Sequence, residues 1–480
     1  MAAPKTAPYG SWKSPIGADV VACGTITLEQ IALEGGVAYW LEQRPAEGGR
    51  NVILRCRLGE SPQDVTPPPF NVRTRVHEYG GGAFAVHGGT VFFANYADQR
   101  LYRQEAGCPP RPLTPGAEMR YADATVDARR RRLACVREDH SVPGGEPQNT
   151  LVSIDLERGG LGEVLASGQD FYSSPRPSPD GRHLAWLAWD HPRMPWDGCE
   201  LWLAEVLGDG TLGSARRIAG GQTESVFQPE WSPDGVLHYA SDRTGWWNLY
   251  RLRGERIEPL CQMAAEFGAP QWAFGMSRYA FVSSHRILCA YVQQETSHLG
   301  LLDSDTGCLE PLATPFTDIL EVRAAQDYAL ILAGSPREAP AIRRVDLNTG
   351  QMQTLRRTSN VEIDSGYGRP YRERLKGQWG VVDVDDCVNA QRADLPRCLQ
   401  RRGHLLRHQR PGSAGAGHAQ VRIPLPGWAD RSVPRAPRPV PPPLSDPCHR
   451  APLLPNDLFP RAGRPRRAAQ PGRGDGAGTP

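Results

Sequence analysis

The last 90 residues of this 480-residue chain contain no Lys, Glu, Tyr or Met, while Arg and Pro fill more than a third of their positions. Arg interleaved with Pro and Ala cannot bury enough apolar surface to offset the entropy of ordering, so residues 391–480 read as disordered. The body lacks other things. None of the 11 cysteines forms a C-x-x-C pair or a metal-ligand spacing, so neither a redox motif nor a metal centre is expected. No run of 18 apolar residues exists, which excludes a membrane-spanning helix. Met1 to Pro15 is polar and has no apolar core, so no signal peptide is expected. Cysteines in strand-like runs, such as Cys135 and Cys289, then read as buried free thiols of a cytoplasmic protein.

The formal net charge of +2 conceals an asymmetry. The tail holds 16 Arg and 5 Asp, about +11, which leaves about −9 of the 55 basic and 53 acidic residues for residues 1–390. A mildly acidic body carries no electrostatic footprint for nucleic acid, and no specific nucleic-acid or membrane partner is expected. Nothing calls for a cofactor.

What is present is a repeat. Alternating apolar and polar segments, each followed by a second short strand, begin near Val52, Leu101, Leu151, Leu201, Leu249, Leu299 and Ala341, about fifty residues apart. Their turns carry the expected chemistry in Gly208-Asp209-Gly210, Asp305-Thr306-Gly307 and Asn348-Thr349-Gly350. Between them lie further strand pairs. Ser178-Pro179-Asp180-Gly181 precedes the apolar run His183 to Leu187, and Ser232-Pro233-Asp234-Gly235 precedes Val236 to Ala240. Each unit thus has four strands and cannot bury both faces alone. Radial packing solves this, so the expected fold is an all-β, seven-bladed propeller over residues 28–357, after an N-terminal segment 1–27. Six-bladed or kelch-like counts are the alternatives.

Several strings in this body are more specific than the repeat. They are Asn71 to Gly82 (NVRTRVHEYGGG), Tyr172 to Pro175, Trp189 to Pro192, Met194 to Gly198, and Gln228 to Gly235. With these strings the chain resembles the propeller of the prolyl oligopeptidase family, in the branch of dipeptidyl aminopeptidase and acylaminoacyl-peptidase-like enzymes. Residues 366–390, from Gly366-Tyr367 through Gln378-Trp379-Gly380 to Asp383 and Ala390, resemble part of the same family's α/β-hydrolase domain. The resemblance implies a serine peptidase acting on short peptides, with a Ser-His-Asp triad and an oxyanion hole.

Those parts are not found in order. Asp364 runs almost directly into Gly366, so the first hydrolase strands and their HGG-type loop have no counterpart there. The nearest approach to a G-x-S-x-G elbow is Pro411-Gly412-Ser413-Ala414-Gly415, which has Pro in the first Gly position and no apolar strand before it. No catalytic residue is therefore assigned. A reading-frame shift near residue 391 is expected to account for the tail: with suitable codons for residues 455–476, a move by one base can spell a string resembling the family's segment with the triad Asp. The chain is expected to be a damaged, inactive peptidase, or alternatively a stand-alone propeller that binds or scaffolds.

Candidate substrate-binding residues are Arg75, His77, Glu78, Tyr79, Asp190, Trp196 and Asp197. The first four precede Gly80-Gly81-Gly82, which marks a tight turn or a close backbone approach. Glu78 suits a peptide's free N-terminus and Arg75 a carboxylate or carbonyl. The competing assignment is a buried ion pair between blades. Asp190, Trp196 and Asp197 lie in a longer irregular insert, where function concentrates. Trp246, Trp247 and Trp272 are expected to pack between blades.

Overall fold

The computed structural model describes residues 25–57 and 59–359. Expectations for residues 366–390 and 391–480, and for all but the last residues of the N-terminal segment, lie outside these. The described residues contain no α-helix, only a 3-10 turn at Pro45–Glu47. They form seven four-stranded antiparallel sheets, each from one continuous stretch of chain.

Blade 1 holds β1 (Thr27–Glu34), β2 (Val37–Arg44), β3 (Arg50–Arg57) and β4 (Gln63–Asp64). Blade 2 holds β5 (Phe84–His87), β6 (Thr90–Ala94), β7 (Leu101–Gln104) and β8 (Arg111–Pro112). Blade 3 holds β9 (Met119–Asp127), β10 (Arg132–Asp139), β11 (Gln148–Asp155) and β12 (Gly159–Ala166). Blade 4 holds β13 (Phe171–Pro177), β14 (His183–Trp189), β15 (Glu200–Glu205) and β16 (Arg216–Gly220). Blade 5 holds β17 (Val226–Trp231), β18 (Leu237–Ser241), β19 (Asn248–Arg253) and β20 (Arg256–Cys261). Blade 6 holds β21 (Tyr279–Phe281), β22 (Arg286–Gln293), β23 (Thr296–Asp303) and β24 (Leu309–Leu312). Blade 7 holds β25 (Asp318–Ala324), β26 (Tyr328–Ser335), β27 (Glu338–Asp346) and β28 (Met352–Arg357). The segments that repeat every fifty residues are the third strand of each blade.

The second strands show why the blades stack. In β14, Leu184, Trp186 and Ala188 pack against blade 3, while the alternate residues Ala185, Leu187 and Trp189 pack against blade 5. In β22, Ile287 and Cys289 face blade 5, and Leu288 and Ala290 face blade 7. A period of two divides an unbroken apolar run between two interfaces. Seven apolar clusters fill the seven interfaces, and the last joins Leu28, Trp40 and Leu54 of blade 1 to Leu330, Leu332 and Ile342 of blade 7. The ring is therefore closed. Cys135 and Cys289 are buried free thiols inside these interfaces.

A polar belt runs along the first strands. Gln30 N and Ile31 N donate to the carboxylate of Glu321, both at 3.0 Å. Ala83 N donates to Gln30 Oε1 at 2.8 Å, and Asp123 N to Gly82 O at 2.9 Å. Ser174 N donates to Asp123 Oδ2 at 2.6 Å, and Arg176 Nε to Glu230 Oε1 at 3.1 Å. Arg278 N donates to Gln228 Oε1 at 2.7 Å, and Ser277 Oγ to Val322 O at 2.8 Å. Every neighbouring pair of blades is thus linked once around the ring. Gln30, Asp123, Ser174 and Gln228 sit at register breaks of their strands with φ between 46° and 53°, so these four blades bend where they are linked.

Because each blade is a meander, its first-to-second and third-to-fourth turns share one face of the ring. The second-to-third loops and the crossings between blades share the other. The first is the turn face and the second the loop face. Both S-P-D-G motifs lie on the turn face. In each, the Ser hydroxyl donates to the Asp carboxylate at 2.6 Å, and the Gly amide donates to the Ser carbonyl.

Candidate functional site

All seven candidate residues are on the loop face. Arg75 to Tyr79 belong to the crossing from blade 1 to blade 2, and Asp190 to Asp197 to the loop between β14 and β15. The crossing is fixed to blade 2 by Val72, which bridges Asn95, and by Arg75 N, which donates to Gln99 Oε1 at 2.8 Å. It then turns, with Glu78 N donating to Arg75 O at 2.9 Å. His77 and Glu78 are left-handed, at φ 52° and 61°.

The three glycines after this turn allow close approach, as expected. A Cβ on Gly80 would lie 2.4 Å from Thr74 O, and one on Gly81 would lie 2.5 Å from Phe274 O. Gly81 and Phe274 pair as a parallel bridge, and Phe274 N donates to Gly80 O at 2.9 Å. This pairing draws the crossing between blades 5 and 6 across the face, to the crossing between blades 1 and 2.

Glu78 projects outward, its side chain 77% exposed, and accepts from Arg120 Nη1 at 2.9 Å. Arg120 lies on β9, so the ion pair joins the crossing to blade 3, but it is exposed rather than buried. The buried carboxylate is Glu138, 4% exposed at its side chain. It accepts from His77 N at 2.6 Å and lies 3.0 Å from His140 Nε2. Glu138 thereby holds the turn that presents Glu78. No local signal in the sequence marks it, because its partner lies about sixty residues away.

His77 points inward. Its ring lies against Phe171, Trp189 and Phe274 with centroids 5.1, 5.6 and 4.8 Å apart. Burial pushes its pKa down to about 4, and its enclosed Nε2 has no hydrogen-bond partner. It stays a neutral ring packed under the turn across the neutral range.

Tyr79 is 63% exposed, and its ring lies 5.6 Å from that of Trp272, itself 54% exposed. Trp272 lies 4.3 Å from Trp196. Three aromatic side chains from three separate loops thus form one open platform beside Glu78. Trp272 does not pack between blades as expected; the Gly81–Phe274 bridge holds its loop up on the face. Trp246 is likewise exposed, while Trp247 does join the interface between blades 5 and 6.

Arg75 is exposed, with its guanidinium carbon 5.6 Å from the Tyr96 ring centroid. Asp190 accepts from Asp170 N at 2.7 Å and from Gln169 Nε2 at 3.2 Å, and Asp197 Oδ2 accepts from Met194 N at 3.1 Å. Both carboxylates fold the loop that carries Trp196. No group of three or more metal-ligating side chains occurs among the described residues. A cleft of about 590 Å³ opens between blades 3 and 4 on the turn face. The guanidiniums of Arg130 and Arg132 that line it are occupied by the carbonyls of Gly181, Val206 and Gly210.

Neither family models nor curated proteins give a match to this chain. Solved structures do. A puromycin-hydrolysing peptidase of Mycobacterium tuberculosis is 35% identical with a TM-score of 0.71, over 76% of this chain and 58% of its own. A puromycin hydrolase mutant complexed with PGG is 31% identical with a TM-score of 0.70, over 82% of this chain and 75% of its own. A prolyl endopeptidase, at 12% identity and a TM-score of 0.54, shares the fold. The ring of seven blades, the loop-face sequence and these likenesses agree: the chain belongs to the prolyl oligopeptidase family of peptidases. It spans 58% of the length of the mycobacterial enzyme.

Proposed function

We propose that this chain is the substrate-selecting propeller of a serine peptidase for short peptides with a free N-terminus, as in the aminopeptidase branch of the family. The convergence of Glu78 with the Tyr79–Trp272–Trp196 platform supports this reading most directly. An exposed carboxylate pairs with an α-ammonium group, and the aromatic surface beside it takes the side chains that follow. His77 and Glu138 act beneath it as positioning residues. The same exposed aromatics would also meet a hydrolase domain placed over this face. The free cysteines of the interfaces support a cytoplasmic site.

These 480 residues contain no G-x-S-x-G string, and we infer that they do not hydrolyse peptides by themselves. Residues 391–480 are read as translation in a shifted frame. A fluorophosphonate probe is expected to leave the chain unlabelled, and labelling at Ser413 would overturn the inactive reading. Stop codons throughout the other two frames of the gene in this region would end the frame-shift reading. For the binding function, Glu78→Gln is expected to weaken a free tripeptide about tenfold, the effect of losing one charge-assisted contact. Unchanged affinity would remove Glu78 from the site.

A further inference from the structure

We propose that Arg73 and Arg75 form an anion-binding pair that takes the terminal carboxylate of a di- or tripeptide. The inference rests on the reading of the loop face as a peptide site and adds a second anchor to it. Arg73 and Arg75 lie two residues apart, on either side of buried Thr74, and both reach over one ring. Their guanidinium carbons are 5.2 and 5.6 Å from the centroid of Tyr96. The backbone that carries this ring is tied to the same crossing, because Tyr96 N donates to Asn71 O at 2.7 Å. Both side chains are exposed, and neither guanidinium has a hydrogen-bond or ion-pair partner among the described residues.

Two other arginines of this face are neutralised. Arg120 is held by Glu78 and Arg243 by Glu224. Neither Asp98 nor Glu29 forms an ion pair with Arg73 or Arg75. Asp98 is engaged by Asn95 Nδ2 and the Tyr102 hydroxyl. Glu29 lies within electrostatic reach of Arg73 but makes no ion pair with it. Two cations held on one ring with no ion-paired carboxylate repel each other, and a bound anion relieves that. Planar guanidinium forks match the two oxygens of a carboxylate.

The geometry also sets a length. The hydrogen bond from Glu78 N to Arg75 O closes a four-residue turn, which keeps the two Cα atoms within about 7 Å. A cationic and an anionic anchor therefore rise from neighbouring points. An extended peptide advances about 3.3–3.6 Å per residue, so two or three residues bridge such anchors with a terminus on each. Longer chains would place their carboxylate beyond the arginines.

Calorimetry on the full chain with Pro-Gly-Gly, its C-terminal amide, its N-acetyl form and an amidated Pro-Glu-Gly separates the possibilities. The free acid is expected to bind at least tenfold more tightly than its amide. The double variant Arg73→Gln/Arg75→Gln is expected to bind both equally weakly, with an unchanged melting temperature because both side chains are exposed. Equal binding of acid and amide by the wild type, or undiminished discrimination by the double variant, would overturn the proposal. If N-acetylation alone abolishes binding, the peptide reading stands and the carboxylate anchor fails. Amidated Pro-Glu-Gly binding as tightly as the free acid would assign the arginines to acidic side chains and overturn the terminal assignment. No binding of any form would sink the peptide reading and the inference together.

Discussion

The two faces of the ring are built from the same strands and differ in almost every other respect. On the turn face, short connections close on themselves: Asp303 Oδ1 accepts from the amides of Asp305 and Thr306, and Asp346 Oδ1 from those of Asn348 and Thr349. On the loop face, connections reach across blades, through Gly81 to Phe274, Glu78 to Arg120 and His77 to Glu138. Five of the nine exposed large apolar side chains among the described residues, Tyr79, Val142, Met194, Trp246 and Trp272, belong to loop-face connections. Leu207 alone belongs to a turn-face connection. A turn that closes through its own four residues leaves few apolar groups exposed. Where loops must be held by distant partners, groups are left over, and here they are aromatic rings and charges.

The largest expected effect tests whether the loop face depends on contact. Gly81→Ala introduces a Cβ at φ 86°, 2.5 Å from Phe274 O and 2.6 Å from Phe274 N. Left-handed strain costs about 1–2 kcal/mol and overpacking against backbone about 1–3 kcal/mol more. A loss of about 2–5 kcal/mol in urea unfolding is expected, together with weaker peptide binding, because the loop carrying Trp272 must shift. A variant with wild-type stability and binding would show that the Gly81–Phe274 bridge does not hold the face together.

Acid comes next, through two histidines that sit differently. Burial pushes both His77 and His238 down to about 4. Each is neutral in the folded chain, while an unfolded histidine takes up its proton near pH 6.5. Between pH 6.5 and 4 the unfolded state therefore binds more protons. Stability is full above pH 6.5 and falls by up to about 3 kcal/mol for each histidine as the pH drops to 4. His238 lies in β18 against Phe281, so protonating it acts on the whole ring. His77 sits in a loop, and local opening limits its effect. His238→Gln is expected to flatten the global acid slope, and His77→Asn to change mainly the hydrogen exchange of residues 74–82. If His77→Asn instead accounts for the global slope, the crossing is as integral to the fold as a blade.

The faces also differ in what the sequence discloses. The S-P-D-G turns were legible because donor and acceptor lie within four residues, as Ser178 and Asp180 do. The blade count was legible from the spacing of the third strands. The glycine triplet announced a close approach, but not that Phe274, almost two hundred residues on, is its partner. The expectation that Trp272 packs between blades failed for the same reason. Its exposure is decided by a bridge that no local pattern encodes. The left-handed Gln30, Asp123, Ser174 and Gln228 are hidden too, since no glycine marks them. The belt of hydrogen bonds to neighbouring blades holds those conformations, at about 1–2 kcal/mol of strain each.

The smallest effect is the sharpest control. Gly235 ends the second S-P-D-G turn at φ 85°, one degree from Gly81, but a Cβ there would meet nothing within 4 Å. Gly235→Ala therefore carries the left-handed strain alone, about 1–2 kcal/mol. The same substitution at nearly the same backbone angle, once on each face, subtracts the strain and leaves the contribution of contact. A difference of about 1–3 kcal/mol in favour of Gly235→Ala is expected from urea unfolding of the two variants. Equal losses would mean that the loop face yields as readily as open solvent. The distant contacts would then follow the loop rather than fix it, and a platform built on them could not be rigid enough to select a peptide.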